Sequence, residues 1–343
     1  MDVPKKKVTI RDVAKITGYS ISTVSKSFNG SYEISEETKN KINEVAKILG
    51  YRPNKAALTL RSGRNYVIGV VIPSIEDPFY ARVFHGIQSA ITNTHYSVMT
   101  CITSESYEKE VNVIDKVFNQ VDAFIIAIAE ETLKKQDFEH LKSIQFQGKP
   151  LVIIDREIKA LQCSQVLSTH KVAIKNVVQK AFQYRCKNIA LVSCTQNVNN
   201  QWKLKGFSEV KETLLYAEAK TFVLSSNETA MDSDLTKFVL ENKIDCIIAM
   251  EEESSFAALR VAKKLQKKIP DELAIVGYMS ENVAKNLDTT LSTINQHRKT
   301  MGEEAMKLIL DELANPHIKK RKIAIEPTLV ERMSFIRKSF LQK

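Results

Sequence analysis

From residue 66 onward the chain is paced by short, uninterrupted apolar runs, and these constrain the fold more than any other feature. Tyr66 to Ile72 is the first, followed by Tyr96 to Ile102, Ala123 to Ile128 and Leu151 to Asp155. Stretches with helical spacing separate them: one from Phe79, one near Tyr107 to Val121, and one between Ile128 and Leu151. After a helix expected over His170 to Tyr184 the series starts again with Ile189 to Cys194, Ala219 to Leu224, Cys246 to Met250 and Leu273 to Val276. A strand that is apolar on both faces is buried on both faces. Alternation with amphipathic helices therefore means parallel sheets covered on either side. Two such series imply two similar lobes. Ligands in open parallel sheets sit at the carboxyl ends of the strands, so a cleft between the lobes is the expected binding site.

The first 64 residues follow a different rule. Thr9-Ile-Arg-Asp12 is a hydroxyl cap with an acid three residues on, and a helix is expected from Ile10 to Thr17 with Val13, Ala14 and Ile16 inward. Gly18 breaks it, Tyr19 and Ser20 turn, and Ser20 caps a second helix, Ile21 to Phe28, which Asn29-Gly30 stops. Val24 and Phe28 share a face. Ser35 caps a third helix, Glu36 to Leu49, with Ile42, Val45, Ala46 and Leu49 at helical spacing before Gly50. Two short helices, a glycine turn and a supporting helix make a helix-turn-helix, whose second helix enters the major groove of DNA. Any three-helix bundle shares the apolar spacing. The hydroxyl-rich, acid-free surface of the second helix favours the DNA reading, because Ser, Thr, Lys and Asn suit phosphates and base edges.

Charge agrees with this division. Residues 1–64 hold 13 Lys and Arg against 6 Asp and Glu, whereas the remaining 279 hold 37 against 34. A small basic segment on a nearly neutral body is the layout of a nucleic-acid module carried by another domain. The boundaries expected are 1–53 for the headpiece, 54–64 for a hinge helix and linker, and 65–343 for the two-lobed α/β domain. The hinge run Asn54 to Arg61 is about two turns long, marginal alone in water. It needs DNA or its twin in a dimer, unless it is a plain linker helix.

The ordered run Val8-Thr-Ile-Arg-Asp-Val-Ala, Ser20-Ile-Ser-Thr-Val-Ser-Lys26, Phe28-Asn-Gly30, Ile34-Ser-Glu-Glu-Thr38, Leu49-Gly-Tyr-Arg-Pro-Asn54 and Leu60-Arg-Ser-Gly-Arg64 resembles the headpiece and hinge of the lactose-repressor/galactose-repressor family. The resemblance covers residues 8–64 without gaps. It implies a homodimer on palindromic double-stranded operator DNA, acting as a transcription regulator, most simply a repressor. Ile21, Ser22 and Lys26 fall at base-reading positions, and Thr23, Ser25 and Asn29 at backbone contacts. Thr9, Ser20, Asn54, Ala57 and Arg61 complete the expected DNA contacts. Leu60 falls where the family inserts a leucine between base pairs, a wedge that unstacks one step in exchange for contacts on bent DNA.

The remainder resembles the family's regulatory domain, built like a type-1 periplasmic sugar-binding protein. The landmarks are Asp77-Pro-Phe-Tyr80, Asp155-Arg156, Gly206-Phe207, Pro270 to Tyr278 and Leu291 to Gln296. The resemblance implies a small-molecule effector, a sugar or derivative, lined by Phe79, Asp155, Arg156, Lys203, Glu251, Met279 and Gln296. Read alone, Asp155-Arg156 is equally a surface pair and Phe79 equally a core residue. Three departures stand out. Glu251-Glu252 replaces the usual Asn-Asp, Met279-Ser280 replaces Asp-Asp, and Lys203 replaces an arginine. A lysine is a point charge without the bidentate fork, and Met279 offers an apolar wall. These predict an effector other than a simple neutral sugar held in the family's usual way.

Other classes fare worse. There is no GxGxxG after a strand, no P-loop, no HExxH and no GxSxG, so neither an enzyme nor a cofactor or metal site is expected. Five cysteines without a CxxC pair, several inside apolar runs, fit reduced thiols and the cytoplasm. The N-terminal Met-Asp-Val-Pro-Lys-Lys-Lys is not a signal peptide, and the longest apolar stretch, Ala123 to Ala129, is too short for a bilayer. A binding protein without a DNA role is the alternative, opposed by the complete headpiece. The segment after Glu331 carries no heptads, so a dimer through the α/β domain is expected rather than a coiled-coil tetramer.

Overall fold

The computed structural model describes residues 8–28, 31–51, 63–194, 197–211, 218–224 and 228–337. The chain divides into two compact units, residues 1–66 and 67–343.

The first unit contains α1 (Ile10–Thr17), α2 (Ile21–Phe28) and α3 (Glu36–Leu49). The expected box starts α1: Thr9 N and Thr9 Oγ1 both donate to Asp12 Oδ2 at 2.8 Å. Gly18 ends it in the left-handed region at φ 75°, its N–H on Ala14 O at 3.0 Å, a backbone that a side chain would strain. Val13, Ala14, Val24, Ile42 and Ala46 form the core, ringed by Tyr19, Phe28, Val45, Leu49 and Tyr51. One expected core position is corrected. Ile16 is 59% exposed, and Thr17 is buried instead. The Thr17 hydroxyl can be buried because it donates to Val13 O at 2.8 Å, which removes the penalty of an unpaired polar group.

The second unit has two lobes, each a six-stranded sheet. In the first lobe the order is β11-β5-β4-β3-β1-β2. Its strands are β1 (Val67–Ile72), β2 (Ser97–Ile102), β3 (Ala123–Ala127), β4 (Leu151–Asp155), β5 (Ser164–Ser168) and β11 (Lys322–Ile325), all parallel. In the second lobe the order is β12-β10-β9-β8-β6-β7. Its strands are β6 (Asn188–Ser193), β7 (Glu218–Val223), β8 (Cys246–Ala249), β9 (Ala274–Gly277), β10 (Ser292–Asn295) and an antiparallel edge, β12 (Thr328–Val330). Helices cover both faces: α4 (Pro78–Ile91), α5 (Tyr107–Val117), α6 (Glu130–Lys135), α7 (Glu139–Phe146), α8 (His170–Gln183), α9 (Val198–Lys211), α10 (Glu228–Glu241), α11 (Glu252–Lys264), α12 (Glu281–Ala284) and α13 (Arg298–Ala314).

The doubly covered parallel sheets are as the apolar runs predicted. The lobes are not, however, two consecutive series. The chain crosses into the second lobe after β5, returns after β10 to lay α13 on the first sheet, and crosses back after β11. The sequence reading missed β5, β10, β11 and β12 because strands such as Ser164-Gln-Val-Leu-Ser168 lack a continuous apolar run. It also left Glu303 and Glu304 on a solvated face. They are half-buried on α13 and paired with Lys299 at 3.2 Å and Lys307 at 2.6 Å. The segment after Glu331 tucks into the second lobe, with Phe335 fully buried and Ser334 Oγ donating to Ile275 O at 2.6 Å.

Two glycines set the approach of α13 to α4. A Cβ on Gly302 would lie 2.0 Å from Val83 O, and one on Gly86 would lie 2.0 Å from Lys299 O. The helix backbones therefore touch, and this contact brings the starts of α4 and α13 together at the cleft.

Candidate nucleic-acid interface and inter-lobe cleft

In the first unit α2 packs Val24 and Ser27 inward and leaves Ile21 and Ser22 exposed, with Thr23, Ser25 and Lys26 half-buried. Ser20 Oγ accepts from Thr23 N at 3.0 Å and lies 2.9 Å from Thr23 Oγ1. Both residues thus cap the helix as well as facing solvent. The helix itself carries no acid in its first turn, but Glu33 in the following loop forms an ion pair with Lys26. Sequence reading missed this partner because it lies seven residues on, in a loop. Thr9 is exposed, its polar groups turned to Asp12. Asn29, Asn54, Ala57, Leu60 and Arg61, with the hinge helix they define, lie outside the described residues.

In the second unit a cavity of about 150 Å³ lies between the lobes, at the carboxyl ends of the strands. That is below the ~300–1,000 Å³ of drug-sized sites, so its occupant is small. Asp155 closes β4 with φ 70°, a conformation uncommon for a residue with a side chain. Tyr80 OH donates to Asp155 Oδ2 at 3.1 Å. From the other lobe, Asn199 Nδ2 donates to both Asp155 oxygens at 2.9 and 3.0 Å. Burial raises the Asp155 carboxyl above its usual range, while Arg156, Asn199 and Tyr80 hold it down. This is a latch across the cleft.

Arg156 lines the cavity but spends its fork within its own lobe, on Glu105 at 2.6 and 2.7 Å and on Ile128 O at 2.6 Å. Lys203 is buried. Its ammonium donates to Met250 O at 2.7 Å and Asn200 Oδ1 at 3.0 Å and lies 4.1 Å from the Tyr278 ring centre. Burial brings its pKa down to about 8, with Glu251 and Asp155 pulling the other way. Beside it His170, also buried, is held well below its ordinary value by burial and by the charges of Lys203 and Arg298.

Glu251 is turned into its own lobe. It accepts from Ser193 Oγ at 2.7 Å, Cys194 N at 3.1 Å, Ser254 Oγ at 2.9 Å and Asn200 Nδ2. Met279 is placed away from the cleft, with its side chain in the second lobe's apolar core beside Ala284 and Leu291. Gln296 lines the cavity, and its Oε1 accepts from Arg298 Nε at 3.0 Å. Phe79 is half-buried, its ring edge-on to Tyr80 at 5.1 Å and 5.6 Å from the Arg298 guanidinium. The structure thus brings Phe79, Asp155, Arg156, Lys203, Glu251 and Gln296 together and leaves Met279 out.

Sequence reading did not propose Tyr80, Asn199, Asn200, Glu252, Tyr278 or Arg298 as lining residues, although all of them line the cavity. The amide run Asn197-Val-Asn-Asn200 was the available signal for two of them. Arg298, two residues after Gln296, had none. Among the described residues no cluster of three His, Cys, Asp or Glu is arranged for a metal, and no helix is long and apolar enough to cross a membrane.

Comparison with known proteins places both units. The model of bacterial regulatory proteins, lacI family, matches residues 9–54, and that of a periplasmic binding protein-like domain matches residues 178–335. Catabolite control protein A of Staphylococcus epidermidis is 27% identical over 320 residues, 91% of this chain and 95% of that protein. The ribose operon repressor of Lactococcus lactis is 28% identical over 329 residues, 94% and 97% of the two chains. The crystal structure of the lac repressor dimer bound to operator and the anti-inducer ONPF has the same fold. It superposes with a TM-score of 0.82 at 19% identity, covering 97% of this chain and 100% of that one. With a headpiece matched to the lacI model and a two-lobed unit matched to the periplasmic binding protein-like one, the chain belongs to the lacI family of bacterial regulatory proteins.

Proposed function

We propose that the protein is a transcription repressor that binds a palindromic operator as a homodimer through the exposed face of α2 and is controlled by a small polar effector in the inter-lobe cleft. The observation that carries this is the pairing, in one chain, of two separate elements. One is a compact basic unit with Ile21 and Ser22 exposed on a capped helix. The other is a cleft whose two sides are joined by the Asp155–Asn199 latch. A ligand seated among Asp155, Asn199 and Gln296 changes the free energy of closure, which is the requirement for shifting a two-state regulator. The similar Lactococcus protein is a ribose operon repressor, which supports a sugar or derivative as effector. A latch of neutral amides on a carboxylate suits hydroxyl groups.

Lys26 reads bases in this scheme, so binding to DNA must break its pair with Glu33. That exposed pair is worth about 0.2–1 kcal/mol, small beside the ~1–3 kcal/mol of a bidentate contact to a base. The test compares the full chain with the 65–343 fragment. The full chain is expected to bind DNA with strong salt dependence, and the fragment to lose DNA binding while still being thermally stabilised by effector. A fragment that retains DNA binding would contradict the reading.

A further inference from the structure

Nearly every charged group lining the cleft is already paired, and the exceptions identify what is missing. Asp155 is held by Tyr80 and Asn199, Arg156 by Glu105, Glu251 by its own lobe, and Lys203 by Met250 O and Asn200. Two groups differ. Arg298, at the first position of α13, uses only Nε, on Gln296. Its two terminal amino groups have no protein partner, and no acid oxygen among the described residues lies within 4.0 Å. Glu252, at the start of α11 in the other lobe, likewise has no hydrogen-bond or ion-pair partner. The two line the same cavity with opposite charge. They are near enough to bias each other's titration yet too far apart to pair. A third group points the same way: the Tyr278 hydroxyl lines the cavity, is buried, and has no partner.

We propose that Arg298 and Glu252 are the specificity clamp of the cleft, and that its occupant is a neutral polyhydroxylated molecule of monosaccharide size whose neighbouring hydroxyls bridge them. This rests on the reading of the cleft as the effector site. Adjacent hydroxyls accept from the planar fork of Arg298 and donate to the carboxylate of Glu252. Phe79, 5.6 Å from the guanidinium, backs the fork. An anion would satisfy Arg298 but meet Glu252, Asp155 and Asp77, and a cation would meet Arg298 and Lys203. A neutral polyol takes from both without adding charge to a closed, low-dielectric site. The arrangement also resolves the departures in the sequence. The fork absent at Lys203 is supplied by α13, and the acceptor absent at Met279 and Ser280 is supplied by α11.

The test is calorimetric titration of the full chain with D-ribose, D-glucose and D-galactose, with ribose 5-phosphate and glucose 6-phosphate, and with L-serine as a zwitterion. The same titrations are made on Arg298→Lys, which keeps charge and loses the fork, and on Glu252→Gln. Thermal unfolding reports the fold of each variant. The expected result is binding of a neutral sugar, weakened about tenfold or more in each variant without a matching loss of stability. Equal sugar affinity in both variants would overturn the clamp while leaving the cleft as effector site. A phosphate ester or serine binding more tightly than every sugar would overturn the ligand class. No binding by any probe would count against both.

Discussion

The α2 face and the cleft are built in opposite ways. The face comes from one eight-residue helix and its cap, so each side chain's direction follows from local backbone. The cleft draws Asp155 from β4, Asn199 and Lys203 from α9, Glu252 from α11 and Arg298 from α13. It depends on two lobes through which the chain passes alternately. The face should therefore respond to substitution residue by residue, and the cleft as a unit.

The largest effect should come from the helix crossing that supports the cleft. Gly302→Val drives a side chain into Val83 O, and overpacking of this kind costs about 1–3 kcal/mol or more. Calorimetry should show the two-lobed unit melting roughly 5 °C lower, while the isolated headpiece is unaffected. An unchanged transition would mean that α4 and α13 separate freely.

Next is a pH effect specific to the cleft. Lys203 has a pKa of about 8 when folded, against 10.5 for an ordinary lysine. Between these values the unfolded chain holds the extra proton. Stability therefore rises with pH across that window, and the full penalty applies below it. Lys203→Met removes the term, on the order of 3 kcal/mol at neutral pH. Urea unfolding from pH 7 to 10.5 should show the gain of Lys203→Met over wild type shrinking as pH rises. A constant difference would mean that the ammonium is not desolvated.

The contrast also explains what could be read from the amino-acid order. Thr9, Gly18, Ser20 and Gly50 mark helix ends by local chemistry, so the headpiece was legible almost residue by residue. The error at Ile16 arose because a three-residue step from Val13 fits an inward face equally well, and only the packing of α3 decides between Ile16 and Thr17. The parallel strands were legible because burial on both faces leaves continuous apolar runs. The return of α13 to the first lobe was not. Nothing in Arg298 to Ala314 says which sheet it covers, and the Gly86–Gly302 contact joins residues far apart in sequence. Arg298 was invisible as a lining residue for the same reason, and Met279 was assigned to the cleft by position although its side chain fills the core.

The smallest effect sharpens the account of the α2 face. Glu33→Gln frees Lys26 and removes a negative charge near DNA. Operator affinity measured by fluorescence anisotropy should rise by less than about fivefold at low salt and converge with wild type as salt screens the pair. Weaker binding would show that Glu33 positions Lys26 for DNA.

The central claim, that the α2 face reads sequence, is tested most directly by binding-site selection from random duplex DNA with the full-length protein and with Lys26→Ala. A two-fold symmetric consensus is expected for the wild type. In Lys26→Ala the preference should relax at one position in each half-site, with the rest intact, reflecting the loss of about 1–3 kcal/mol of discrimination at that base pair. An unaltered consensus in Lys26→Ala, or no symmetric consensus with the wild type, would contradict it.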